Sequence, residues 1–151
     1  MSRFVPFLFV FLAACAVIPD ASTEPPASGE TVDITNEALA APPPPKAARS
    51  VEEFDTTTEE QRAAAASSKT GGTFLGTTVA SLGDPARPGF WIETNLASEA
   101  GAGRLINPVN GKSVEVEIFP IESGSSRVSL AAFRVLEAPL TGLPTLEVYA
   151  E

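Results

Sequence analysis

Glu115 and Glu117 have the spacing that places two carboxylates on one face of a β-strand, because successive side chains point to opposite sides. Such a pair could serve as acid and base if its surroundings pushed the two pKa values apart. On an exposed strand nothing does so, and the pair reads as solvated charge. Trp91, the single tryptophan, follows Phe90 and an Arg87-Pro88-Gly89 turn. It could stack on a sugar ring or fill the core of a small domain, and Tyr149 reads as a packing residue. Arg87, Arg104, Lys112, Arg127 and Arg134 are half of the 10 basic residues. Gathered into one patch they could meet carboxylates, the arginines in bidentate fashion; the alternative is scattered, solvated charge. Asn107 and Asn110 could contact a glycan, although turn formation accounts for Asn110. The candidate ligand contacts are therefore Trp91, Arg104, Asn107, Lys112 and Arg127.

What is missing excludes more than these residues suggest. The chain has no His, and Cys15 is its single Cys. A disulfide within the chain, a zinc site built on Cys and His, and a Ser-His-Asp or Cys-His catalytic unit are all ruled out. No catalytic residue, metal or cofactor is expected. Ten basic against 19 acidic side chains give a net charge of −9. That surface repels phosphate backbones, so nucleic acid is excluded as a partner. It also repels anionic lipid headgroups, so any membrane attachment must rest on something other than charge.

The N-terminus supplies a candidate. Met1–Arg3 is short and positive, and Phe4–Leu12 is apolar except for Pro6. The run is about half of the roughly 20 residues a helix needs to span a bilayer. A positive start, a short apolar run and small residues after it describe a cleaved export signal, residues 1–14. Leu12-Ala13-Ala14-Cys15 resembles the bacterial lipobox, and the chain is identified by it as a bacterial lipoprotein. The resemblance implies a diacylglyceryl thioether on Cys15, which becomes the mature N-terminus. Several acyl chains on one residue meet the two-signal requirement for stable anchoring. With Ala16, not Asp, after the cysteine, the expected place is the periplasmic face of the outer membrane.

Residues 15–48 read as a disordered Pro/Ala-rich tether. The segment holds half of the 14 prolines, and its few larger apolar residues, Val17, Ile18, Val32, Ile34 and Leu39, cannot form a core. Residues 49–70 read as a short polar helical segment. Thr56 with Glu59, and Thr57 with Glu60, have capping-box spacing, and a helix is predicted over Glu59–Ser67. Residues 71–151 form the folded part. Strands are predicted at Thr73–Leu82 and Phe90–Thr94, with turns at Gly83-Asp84-Pro85 and Arg87-Pro88-Gly89 between them. Arg104–Asn107 is a short strand, Asn110-Gly111 a hairpin turn, and the next strand alternates Val114, Val116 and Ile118 with Ser113, Glu115 and Glu117. Ser129 caps a helix over Leu130–Glu137 that Pro139 stops, and Thr145–Tyr149 closes the chain. The order is β-β-β-β-α-β.

The run Gly103-Arg104-Leu105-Ile106-Asn107-Pro108-Val109-Asn110-Gly111-Lys112-Ser113-Val114-Glu115-Val116 resembles the core hairpin of the rare lipoprotein A family. Arg127-Val128-Ser129-Leu130-Ala131-Ala132 resembles that family's strand into a short Ala-rich helix, and Thr145–Tyr149 its closing strand. The resemblance implies a mainly β fold, a small double-psi-like β-barrel with one short helix. Members bind or cleave peptidoglycan glycans. The cleaving ones use an Asp after the alternating strand and an upstream His. Here Phe119-Pro120-Ile121 stands at the first place, the chain has no His, and Ser129 opens the helix in place of Asp.

The expectation is a non-catalytic envelope lipoprotein that binds or scaffolds at peptidoglycan. The alternative is an assembly subunit contacting another envelope protein, for which the edges of an open barrel would suit strand addition. A glycan-cleaving enzyme comes third.

Overall fold

The computed structural model describes residues 39–67 and 71–151. The expected signal, the lipobox with Cys15, and the tether up to residue 38 lie outside them. Among the described residues no helix is long and apolar enough to cross a membrane.

Six strands close into a barrel. They are β1 (Thr73–Leu82), β2 (Trp91–Thr94), β3 (Gly101–Ile106), β4 (Ser113–Pro120), β5 (Ser126–Val128) and β6 (Thr145–Ala150). The order around the barrel is β1-β5-β2-β4-β3-β6. β1 runs parallel to β5, and β2 to β4; the other four ladders are antiparallel. Exchanging β1, β2 and β3 with β4, β5 and β6 leaves this pairing map unchanged. β5 threads between β1 and β2, and β2 threads between β4 and β5. Two such interlocked crossings are the double-psi arrangement.

Alternation makes the barrel. Ile92, Leu105, Val114, Val116, Ile118, Val128, Leu146 and Val148 point inward and are essentially sealed from solvent. Six of the eight are β-branched, a shape that suits a pleated, packed wall. Helix α3 (Leu130–Val135), between β5 and β6 in chain order, adds Ala132, Phe133 and, one residue past its end, Leu136 to the same core. Ser129 caps α3, its Oγ accepting the Ala132 N–H at 3.3 Å.

Several boundaries differ from the sequence reading. The short strand predicted over Arg104–Asn107 runs instead over Gly101–Ile106, and Gly103 is part of the barrel wall. A Cβ there would lie 2.2 Å from Ile118 Cδ1 and 2.5 Å from the Tyr149 carbonyl oxygen, so only glycine fits. β5 is too short to show a period and is missing from the order read by periodicity, but it lies where the resemblance places a strand before the helix. Asn110-Gly111 does not make a two-residue turn. The Asn107 N–H reaches the Lys112 carbonyl at 2.8 Å around a longer loop in which Gly111 alone is left-handed. α3 ends before Pro139. Glu137 adopts φ 49°, the Ala138 N–H bonds the Phe133 carbonyl at 3.0 Å, and the Glu137 N–H bonds the Arg134 carbonyl at 3.1 Å. These two bonds are the Schellman closure, with a glutamate where glycine is usual. The barrel is closed, so each strand has a neighbouring strand on both sides for at least part of its length, rather than the open barrel expected from sequence.

The chain before the barrel is a strap. It holds α1 (Val51–Phe54), capped by Ser50 and Glu53, and α2 (Glu59–Ala66), whose capping box is closed by Thr58 and Gln61, two residues after the first predicted pair and one after the second. α2 is not a free polar helix, since Ala65 is buried among the core residues. Leu39 and Ala48, assigned to the tether by sequence, are also buried. The Leu39 carbonyl accepts the Phe90 N–H at 3.1 Å, and the Ala40 carbonyl takes Gln61 Nε2 at 2.6 Å. Gly89, at φ +85°, makes room for this: a Cβ would lie 2.5 Å from the Leu39 oxygen. The folded unit therefore takes in residues 39–48.

Candidate functional site

A polar and aromatic cluster lies on the outer wall of β2, β4 and β5. Strand register places it: Trp91 stands beside Glu117, Glu93 beside Phe119 on one side and Arg127 on the other. Neighbours in register share a face. Since Ile92, Ile118 and Val128 fill the barrel, these five side chains must face outward.

Arg87, from the turn before β2, lies over this wall. Its guanidinium carbon sits 4.4 Å from the Trp91 ring centre and 4.2 Å from that of Phe119. Cations are attracted to both faces by the ring quadrupoles. Arg87 Nη1 also bonds Glu93 Oε1 at 3.0 Å, while Arg127 Nη2 holds the other oxygen of the same carboxylate at 2.8 Å. Two cations thus share one anion. Trp91 is buried, but by this loop and not inside the barrel. Its indole N–H reaches the Arg87 carbonyl at 3.2 Å, and its backbone N–H donates to Ser129 Oγ at 3.1 Å. Gly83 lies under the ring, where a Cβ would come within 2.3 Å of it.

A shallow pocket of about 190 Å³ opens beside this cluster. Arg87, Trp91, Phe90, Pro88 and Glu117 line it, and Leu39 to Ala41 of the strap close one side. Asp84 is not among its walls; its carboxylate caps the Ala86 N–H at 2.9 Å.

The other sequence candidates are dispersed. Arg104 is buried on the outer face of β3, giving Nη2 to the Gly71 carbonyl at 2.8 Å and standing 4.9 Å from the Tyr149 ring centre. Asn107 is buried and structural: Nδ2 donates to the Leu136 carbonyl at 3.1 Å, and Oδ1 accepts the Val109 N–H at 3.1 Å. Asn110 donates to the same Leu136 carbonyl at 3.0 Å, so both asparagines fasten the end of α3 to the β3–β4 loop. Lys112 pairs with Glu137 at 3.1 Å, and Arg134 with Asp55 at 2.8 Å. Of the predicted contacts, Trp91 and Arg127 meet at one place; Arg104, Asn107 and Lys112 do not join them. The five basic residues form no single patch.

Sequence reasoning missed Glu93 and gave Phe119 no role. Glu93 was readable, since it lies two residues after Trp91 on the same strand and so on the same face. It also missed Asp55, whose side chain is fully enclosed and takes Arg134 at 2.8 Å and Arg62 at 3.6 Å. Asp55 Oδ1 further accepts the Thr57 N–H at 3.1 Å and the Thr57 hydroxyl. This cluster clasps the strap to α3. Among the described residues no three side chains of metal-ligating type gather into a site.

Fold and site together define a small closed β-barrel with a polar and aromatic outer ledge. Comparison with known proteins returns no match: no family model, no curated protein and no solved structure is significantly similar to the chain.

Proposed function

We propose that this protein is a non-catalytic lipoprotein of the bacterial envelope, anchored through Cys15, whose barrel binds or scaffolds at peptidoglycan. The observation that carries the reading is the ledge of Arg87, Trp91, Phe119, Glu93 and Arg127. It offers half-exposed arginines, held rigid by aromatic rings and a shared carboxylate, to a polar polymer rich in carboxylates. Arginine suits such contacts because its planar fork meets a carboxylate with two parallel bonds. The acidic remainder of the surface disfavours nucleic acid. The anchor follows from the Leu12-Ala13-Ala14-Cys15 motif, which favours the periplasmic face of the outer membrane.

The test is co-sedimentation of the full chain with purified peptidoglycan sacculi at low and moderate salt. The wild-type chain is expected to be retained at low salt. Arg127→Gln, at a side chain 55 % exposed and so safe for the fold, is expected to weaken retention several-fold. No retention under either condition overturns the reading.

A second reading has its own observation. Phe74 and Val79 on β1, and Leu143 before β6, are apolar and more than half exposed. They favour an assembly subunit that meets another envelope protein through side chains, and crosslinking in the envelope tests it.

A further inference from the structure

The pocket beside the ledge is lined by two opposite charges that are not in direct contact. Arg87 and Glu117 both line it, yet they make no ion pair with one another. Arg87 spends Nη1 on Glu93 and its face on two rings; its Nε and Nη2 have no hydrogen-bond partner among the described residues. The Glu117 carboxylate has none there either; its residue is fixed by its backbone, whose N–H bonds the Phe90 carbonyl at 3.0 Å.

Charge counting around the pocket is specific. Arg87 and Arg127 against Glu93 leave one net positive charge on one side. Glu117 supplies one negative charge on the other. A plain anion would gain from Arg87 and be repelled by Glu117, and a plain cation would meet the reverse. A ligand carrying both charges satisfies both walls. At about 190 Å³ the space is below the ~300–1,000 Å³ of pockets that take drug-sized molecules, so it fits an end group of one residue's size. Phe90, Trp91 and Leu39 supply an apolar floor for a short side chain.

We propose that this pocket binds a zwitterionic α-amino-acid group, its carboxylate on Arg87 and its ammonium on Glu117. The group could belong to a free amino acid or to the unsubstituted amino-acid end of a wall peptide. The second source rests on the peptidoglycan reading above; the first does not.

Trp91 is the single tryptophan and lines the pocket, so its fluorescence reports occupancy directly. The full chain is titrated with alanine, with N-acetylalanine, which lacks the ammonium, and with alaninamide, which lacks the carboxylate. A second arm uses soluble wall peptides carrying a free amino-acid end, before and after N-acetylation. Masking either charge is expected to weaken binding at least tenfold in whichever arm binds. Glu117→Gln is expected to lose most of the affinity for the zwitterion and to stop discriminating it from the N-acetyl form, with an unchanged melting temperature. Equal response to masked and unmasked probes, or no response in either arm, overturns the proposal. Sacculus retention that survives Glu117→Gln and N-acetylation leaves the wall reading standing while the pocket fails. Alanine binding without sacculus retention does the opposite.

Discussion

Asp55→Asn separates the strap from the barrel. The carboxylate is fully enclosed and holds Arg134 at 2.8 Å and Arg62 at 3.6 Å. Removing one partner of a buried ion pair costs about 3–5 kcal/mol when the other charge is left stranded. Here both arginines are about one-third exposed, at 36 % and 33 %, and can turn to water. The loss then reduces to that of charge-assisted hydrogen bonding, about 1.5–3 kcal/mol. Asparagine keeps the oxygen that Thr57 uses, so local shape is conserved. For a domain near 100 residues each kcal/mol moves the melting point by about 4 °C or more, which gives a fall of roughly 6–12 °C. Calorimetry measures it. Hydrogen exchange adds the location: amides of α1 and α2 are expected to lose protection before those of β2 and β4. An Asp55→Asn chain within about 0.5 kcal/mol of wild type, with strap exchange unchanged, refutes the clasp. So does simple additivity with Arg134→Gln, because residues in one contact network couple.

Phe133→Ala empties a sealed site between α3 and the barrel and is expected to cost about 3–5 kcal/mol in urea unfolding. Glu137→Gly relieves a left-handed backbone at φ 49° and gives up one exposed ion pair to Lys112, so a net gain of about 0.5–1 kcal/mol is expected as a higher urea midpoint. Tyr149 is the single tyrosine, and its hydrogen bond to Glu147, 3.0 Å long, raises its pKa above the ordinary phenol value. Spectrophotometric titration is expected to show a late midpoint that falls in Glu147→Gln. The linked stability is fully present below the unfolded phenol pKa and is lost as pH rises through the folded one. Glu53 runs the other way: backbone N–H donors at Arg49 and Ser50 lower its pKa, so its support for α1 holds above the unfolded carboxylate pKa and fades as pH falls through the folded value. Circular dichroism of Glu53→Gln against wild type at acidic and neutral pH follows it.

The strands with clear alternation were legible. Thr73–Leu82 has the predicted bounds, and Val114, Val116 and Ile118 face inward as the period demands. What failed locally failed for one reason: long-range contacts decided it. Gly103 shows no strand signal of its own, and its place in the wall is set by Ile118 and the Tyr149 backbone closing on it from two sides. Leu39 looks like tether until Phe90 and Gly89 offer it a bed. Nothing local in the sequence shows that Trp91 is covered on the outer wall by an arginine that also fronts a pocket. Nor does anything local show that Asn107 is fastened to the end of α3, 29 residues away. Single-residue chemistry was visible in the sequence; which arginine met which carboxylate was not.

The pairing map carries a consequence for how the chain acquires its fold. No strand of the first half pairs with another strand of that half: β1 bonds only β5 and β6, β2 only β4 and β5, β3 only β4 and β6. The second half is equally without ladders of its own. A nascent chain ending near residue 108 therefore has no sheet to form, and the β3–β4 hairpin is the first ladder available as the chain lengthens. Every other pairing waits on strands distant in sequence, which makes acquisition of the barrel slow for its size. The same interlock means that two chains caught mid-assembly can trade halves without breaking a single register.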